Sequence, residues 1–359
     1  MVPPVPAEQA RTILARRLRT QGRACELLGS PLYAAVVEQA AGDVESGGPV
    51  WLALQGHEGD PGPSALALRL LGGLHRLALE GRAPSLAAHY PSCGGDGDPT
   101  GAWRAMRGVI EDHLAEVRTL VDQGVQTNEV GRSAALLGGF LEVARRTGLP
   151  LRILEIGASA GLNLRWDHFR YQDGSSGWGP PRSTLVLRGC FAGPHRPPFG
   201  VPAAVAVRRG CDRAPIDPTR RSGQLMLLCY VWPDQIERIE RLRAAFEVAA
   251  AVPVDVDGAD AGTWLAAELA GAGQGGVATV VFHSVFMQYL SQEGRESVLN
   301  TLRQAGTAAS ERSPLAWLRM EPAKPDFEVR LTVWPEGADR LLATAGAHGQ
   351  EVRWLGPEG

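Results

Sequence analysis

The run LRILEIGASAGLNLRWDHFRY, residues 151–171, opens with an apolar stretch that reaches an acid, Glu155, and follows it with small residues that lead into an expected helix. Such a strand-to-helix turn lets backbone approach a ligand closely. Its N–H groups suit an anion, and the acid suits a cation. Glu155, Gly157, Ser159 and Gly161 are therefore candidate ligand contacts, with Asn163 just beyond them. A phosphate loop would need Lys-Ser/Thr after the last glycine, but Leu162 and Asn163 stand there. The dinucleotide pattern GxGxxG, started at Gly157, meets Ser159 and Leu162 where its other glycines belong. The plain alternative is a tight turn that holds nothing. Two titratable residues close later apolar runs, His283 in VVFHSVFMQYL and Glu321 in LAWLRME. Either could accept a proton from a substrate hydroxyl, amine or acid. Their plain counterparts are a structural histidine and a carboxylate in an ion pair.

Positioning these residues at strand ends requires alternating strands and helices. Up to about residue 148 the apolar spacing is helical, clearest in Ala102–Val121, where Trp103, Met106, Ile110, Leu114, Val117 and Val121 share a face. A second helix is expected from Glu129 to Thr147, stopped by Gly148 and Pro150. From Leu151 the pattern changes to short apolar runs, expected as strands at 151–156, 184–188, 203–207, 252–256, 278–283, 315–321, 327–334 and 351–355. Amphipathic helices fall between several of them, best marked in PDQIERIERLRAAFEVA. The expectation is an α/β fold, a mostly parallel sheet with an antiparallel terminal strand, preceded by a helical domain, with the boundary between 149 and 150.

The acid-and-glycine run resembles the first motif of class I S-adenosylmethionine-dependent methyltransferases, E-x-G-x-G-x-G: Glu155, Gly157 and Gly161 match, and Ser159 replaces the middle glycine. The resemblance implies a Rossmann-like sheet and S-adenosylmethionine as cofactor. It implies a second acid for the ribose, best met by Asp212 across an insertion near 165–200 that could form a flap, and an acid beside the adenine, met by Asp260. Asp212 could instead cap a turn, and Asp260 could be the N-cap of the next helix. The fourth motif would fall at His283. The Asn/Asp-Pro-Pro-Tyr motif of base methylation is missing from the sequence.

VQTNEVGR, LEIGASAGLNL, GCDRAPIDP, VWPDQIERIERLRAA and VVFHSVFMQYL together resemble the bacterial family termed domain of unknown function 2332. That resemblance draws attention to Gln126, Asn128 and Arg132 as pocket residues ahead of the first strand, with a helix cap as the bland alternative. Tyr90 and Tyr289 are weaker candidates, expected as loop or packing residues otherwise. The implied function is methyl transfer to oxygen or nitrogen of a small molecule at the strand tips between the domains, assisted by His283 or Glu321. The rivals are a cofactor-binding sensor or scaffold without turnover, and non-methyl chemistry with the same cofactor.

Composition narrows the partners. With 36 Lys+Arg against 39 Asp+Glu the formal net charge is -3, which offers no electrostatic footprint for nucleic acid. Five scattered cysteines show no metal spacing and suit a reducing cytoplasm. No apolar run approaches the ~18 residues of a membrane span. No metal site is expected, and the oligomeric state is not legible.

Overall fold

The computed structural model describes residues 6–270 and 275–356. The chain divides into two compact units, residues 1–127 with 221–240, and residues 128–220 with 241–359. The division therefore does not fall at residue 150. The expected second helix, observed as Arg132–Thr147, belongs to the second unit, and a stretch from the C-terminal half returns to the first.

The first unit is helical around one apolar core that includes Leu14, Val37, Leu70, Met106, Ile110, Val121 and Trp232. The long helix expected from Ala102 to Val121 is broken at His113 into Pro99–Asp112 and Leu114–Val121, and both pieces keep the buried stripe. The returning segment is tied by polar bonds. Asp234 accepts from the Ser30 hydroxyl at 2.6 Å, the Cys229 carbonyl meets His75 Nδ1 at 3.1 Å, and the Pro233 carbonyl accepts from the Ser92 amide at 2.8 Å.

The second unit carries β1 (Leu151–Ile156), β2 (Arg170–Asp173), β3 (Ser176–Trp178), β4 (Val186–Arg188), β5 (Val205–Asp212), β6 (Asp255–Gly258), β7 (Ala278–Ser284), β8 (Leu315–Ala323), β9 (Asp326–Trp334), β10 (Ala338–Ala345) and β11 (Arg353–Trp354). Eight of them form one sheet in the order β11-β10-β9-β8-β7-β1-β5-β6. β6, β5, β1, β7 and β8 run parallel, and β8 to β11 continue as an antiparallel meander rather than a single reversed strand. The expected strand at 184–188 instead joins a small separate sheet, β3-β2-β4. β5 extends past the expected 203–207 because the charges inside it are met: Arg208 pairs with Asp167 at 2.7 Å, and Arg209 with Asp257 at 2.6 Å and Glu268 at 2.8 Å.

Alternation along the strands divides the site residues between two faces. Glu155, Phe282 and Leu318 are in register, and Phe282 and Leu318 lie under the helix Arg132–Thr147, against Phe140 and Gly139. Leu154, Ile156, Val281 and Trp317 point the other way, into a core shared with the helices Ala261–Leu269 and Gln292–Thr307. The insertion after β1 is held by a run of stacked rings, Phe140 on Trp166 at 4.4 Å and Trp166 on Trp178 at 5.0 Å. That anchoring is unlike a loose flap. No described helix is long and apolar enough to cross a membrane.

Candidate functional site

In the parallel part of the sheet the strands are ordered third, second, first, fourth, fifth, so the crossover direction reverses between β1 and β7. Open α/β sheets bind ligands at the carboxyl side of such a switch point. The turn after β1 stands there. Gly157, Ser159 and Gly161 all have left-handed backbone, at φ 70°, 54° and 64°. Serine at the middle position thus holds a conformation that glycine adopts without cost. A Cβ on Gly157 would lie 2.1 Å from the Phe286 ring, and one on Gly161 2.8 Å from Val256, so both glycines are demanded by space as well.

Glu155 is 3% exposed, and its Oε2 is buried without a hydrogen-bond partner. Burial first, and then the charge of Asp212, push its carboxyl well above the usual range against the opposing pull of Arg165. Asn163 is 2% exposed; its Nδ2 donates to the Glu129 carbonyl at 3.3 Å, while its Oδ1 is buried and unpartnered. Asn128 Oδ1 accepts from the Leu162 amide at 2.8 Å. Arg132 donates to the carbonyls of Ala347 at 3.0 Å and Ser284 at 3.4 Å. Residues 128–132 therefore join the turn after β1 to the end of β7, and the structure brings Glu155, the turn, Asn163, Asn128 and Arg132 into one neighbourhood.

The two outer acids behave as turn and helix caps. Asp212 accepts from the Ser159 amide at 2.9 Å and the Ala214 amide at 3.0 Å. It fixes the glycine turn. Asp260 caps the helix Ala261–Leu269 through the amides of Gly262 and Thr263 and pairs with Arg213 at 3.2 Å. Bonds from the Thr263 amide and Arg213 hold its carboxyl below the ordinary range.

His283 and Glu321 stand near the ends of β7 and β8, as expected. His283 is 0% exposed. The Trp317 indole N–H donates to His283 Nε2 at 3.1 Å; because an indole can only donate, the ring proton is assigned to Nδ1, which donates to Glu321 Oε1 at 2.8 Å. Both ring nitrogens are thus engaged within the fold. Glu321 Oε1 also accepts from the amides of Phe286 at 2.9 Å and Met287 at 3.2 Å. Burial opposes its ionisation, but His283 and these amides outweigh burial and hold the carboxyl below its ordinary value. Glu321 thus braces the loop that carries Phe286. Val285, a β-branched residue at φ 53°, stores strain in that loop, of order 1–3 kcal/mol.

Three candidates remain. Tyr90 is 0% exposed in the core of the first unit, with its ring edge-on to Tyr33 and His75, so it contributes packing and no surface. Gln126 belongs to the first unit. Tyr289 is 53% exposed beyond the end of β7. Sequence reasoning missed Phe286 and Arg165. Arg165 lies in the motif itself and is 3% exposed, yet no spacing rule marks an arginine as buried. Among the described residues no three His, Cys, Asp or Glu side chains gather to hold a metal.

A cleft of about 550 Å³ lies beside the turn, lined by Ala160, Arg165, the loop 215–219 and the start of β6. Residues 15–354 match the family model described as an uncharacterised protein conserved in bacteria, DUF2332. The chain belongs to this family. Neither a curated protein nor a solved structure matches the DUF2332 chain significantly.

Proposed function

We propose that this chain binds S-adenosylmethionine at the turn after β1 and transfers its methyl group to a small molecule. The observation that carries the reading is the orphaned, buried Oε2 of Glu155 beside a triple left-handed turn at a switch point. A buried acceptor without a donor costs ~1–3 kcal/mol, and an ammonium from a ligand would supply the donor. The group fits the residues present. Glu155 would hold the cationic amino group, the turn from Gly157 to Gly161 would face the carboxylate, and Asp212 keeps lone pairs for hydroxyls. When bound, the cofactor supplies an activated methyl, and the protein's share is orientation and exclusion of water. The parallel order β6-β5-β1-β7-β8 supports the Rossmann-like reading.

Calorimetric titration with S-adenosylmethionine and S-adenosylhomocysteine, with NAD as control, tests it. Micromolar binding of the first two alone is expected, and no binding of either sinks the proposal. A second reading, a sensor that binds the cofactor without turnover, is favoured by one observation: His283 has both nitrogens engaged. It predicts the same affinity and no methylated product. On the methyl-transfer reading the proposed substrate is a small molecule in the cytoplasm, with neither nucleic acid nor membrane proposed as a partner.

A further inference from the structure

We infer that the cleft beside β6 binds a small monocarboxylate through Arg165 and, on the methyl-transfer reading above, that this carboxylate is the methyl acceptor. The cleft is the size of a small-ligand site, and polar side chains share its walls with Ala160, Ile216, Pro218, Ala250, Val254 and Val256. Its one deep charge is Arg165. The guanidinium is fixed by bonds from Nε to the Val252 carbonyl and from Nη1 to the Gly161 carbonyl, both 2.7 Å, and it forms no ion pair among the described residues. Arg165 lines the cleft, and its two hydrogen bonds use Nε and Nη1, not Nη2. Although burial, Arg208 and the opposing Glu155 leave the Arg165 pKa at about 10, the group stays cationic at neutral pH.

The other charges select a monoanion. Asp257 is neutralised by Arg209 at 2.6 Å, and Asp217 is engaged by Arg220 at 3.1 Å and by Thr219. Asp255 lies exposed at the rim, where it disfavours a second negative charge and can accept a donor on the ligand body. A phosphate dianion is thereby a poorer fit than a carboxylate. The Gly161 carbonyl that holds Arg165 belongs to the proposed cofactor turn, so cleft and turn share a wall.

A carboxylate acceptor also answers the missing base. Its oxygen is already an anion: a lone pair forms the O–CH₃ bond, the C–S pair returns to sulfur, and an anion and a sulfonium become a neutral ester and a neutral thioether. No proton has to move, so the engaged His283 and the low-pKa Glu321 are no obstacle.

The full-length protein is titrated calorimetrically with hexanoate and phenylacetate, each against its primary amide. The expected result is saturable binding of at least one acid, about tenfold tighter than its amide, as a charge-assisted bond provides. Ile216→Trp, which fills the cleft, should abolish it, and Arg165→Gln should weaken the acid to the level of the amide. Equal binding of acid and amide, no binding of either acid, or binding that survives Ile216→Trp overturns the site. S-adenosylmethionine titrated into the same sample separates the two claims. If the acids bind and the cofactor does not, the cleft stands and the methyl-transfer reading falls. If both bind and mass spectrometry finds no methyl ester, the acceptor assignment is overturned.

Discussion

Burying an acid without a partner costs the fold free energy wherever that acid is ionised, and Glu155 is in that position. Its folded pKa is raised, so its stabilising contribution is whole below the unfolded value of 4.5 and is lost as pH rises through the folded value. Glu155→Gln removes the titration. At pH 7.5 the variant should melt roughly 3 °C higher than the wild type, with the gap closing near pH 4, while its affinity for S-adenosylmethionine falls at least about tenfold. Thermal melts at several pH values and one titration check both halves, and a variant that melts lower would remove the case for an uncompensated carboxyl. His75 runs the opposite way. Burial leaves its pKa at about 4 against 6.5 in the unfolded chain, although the carbonyls of Cys229 and Val231 oppose the shift. Below 6.5 the unfolded chain takes up a proton that the folded one refuses, so stability falls as pH drops from about 6.5 to about 4, by roughly 3 kcal/mol in all. Urea melts of His75→Gln should show a flatter profile over that window. Spacing made Glu155 and its turn legible in the sequence. The trapped state of His283 was not, because its partners Trp317 and Glu321 come from another strand.

The strands with clear apolar runs were readable almost to the residue, β1 fully and β7, β8 and β9 to within two positions. β10 was not. ADRLLATA is rich in helix formers, and only pairing with β9 makes it a strand. Likewise β6 starts at Asp255, three residues later than its apolar run. Within the turn after β1, conformation and packing make separate demands on Gly157. Gly157→Ala should destabilise by about 2 kcal/mol, since a Cβ meets the Phe286 ring at φ 70°, and Gly157→Ala with Phe286→Ala should recover part of that loss. A double-mutant cycle by chemical denaturation measures the coupling; strict additivity would show that the ring is free to move aside. For the insertion, Trp178→Ala removes the outer ring of the stack and should cost about 3 kcal/mol, read as earlier proteolysis at 170–200 than elsewhere.

At the scale of the whole molecule, the division of the chain matters more than its class. The α/β sheet and helical first half were legible from the change of period at Leu151, but no composition shift marks residues 221–240 as belonging with the N-terminal helices. Those residues read as part of an ordinary crossover. A fragment ending at residue 149 lacks Asp234, Cys229 and Pro233, which bond to Ser30, His75 and Ser92, and should be unfolded by circular dichroism and amide exchange, whereas a fragment in which residues 221–240 are rejoined through a flexible linker should recover helical signal. Folding of the short fragment alone would show that the returning segment is dispensable. The arrangement also bears on synthesis. A ribosome releases the chain from its N-terminus, yet the first unit is complete only after residue 240, which is 113 residues after residue 127. At ~5–20 residues per second the nascent helices wait on the order of ten seconds with an unfinished core, an interval in which a chaperone has time to bind.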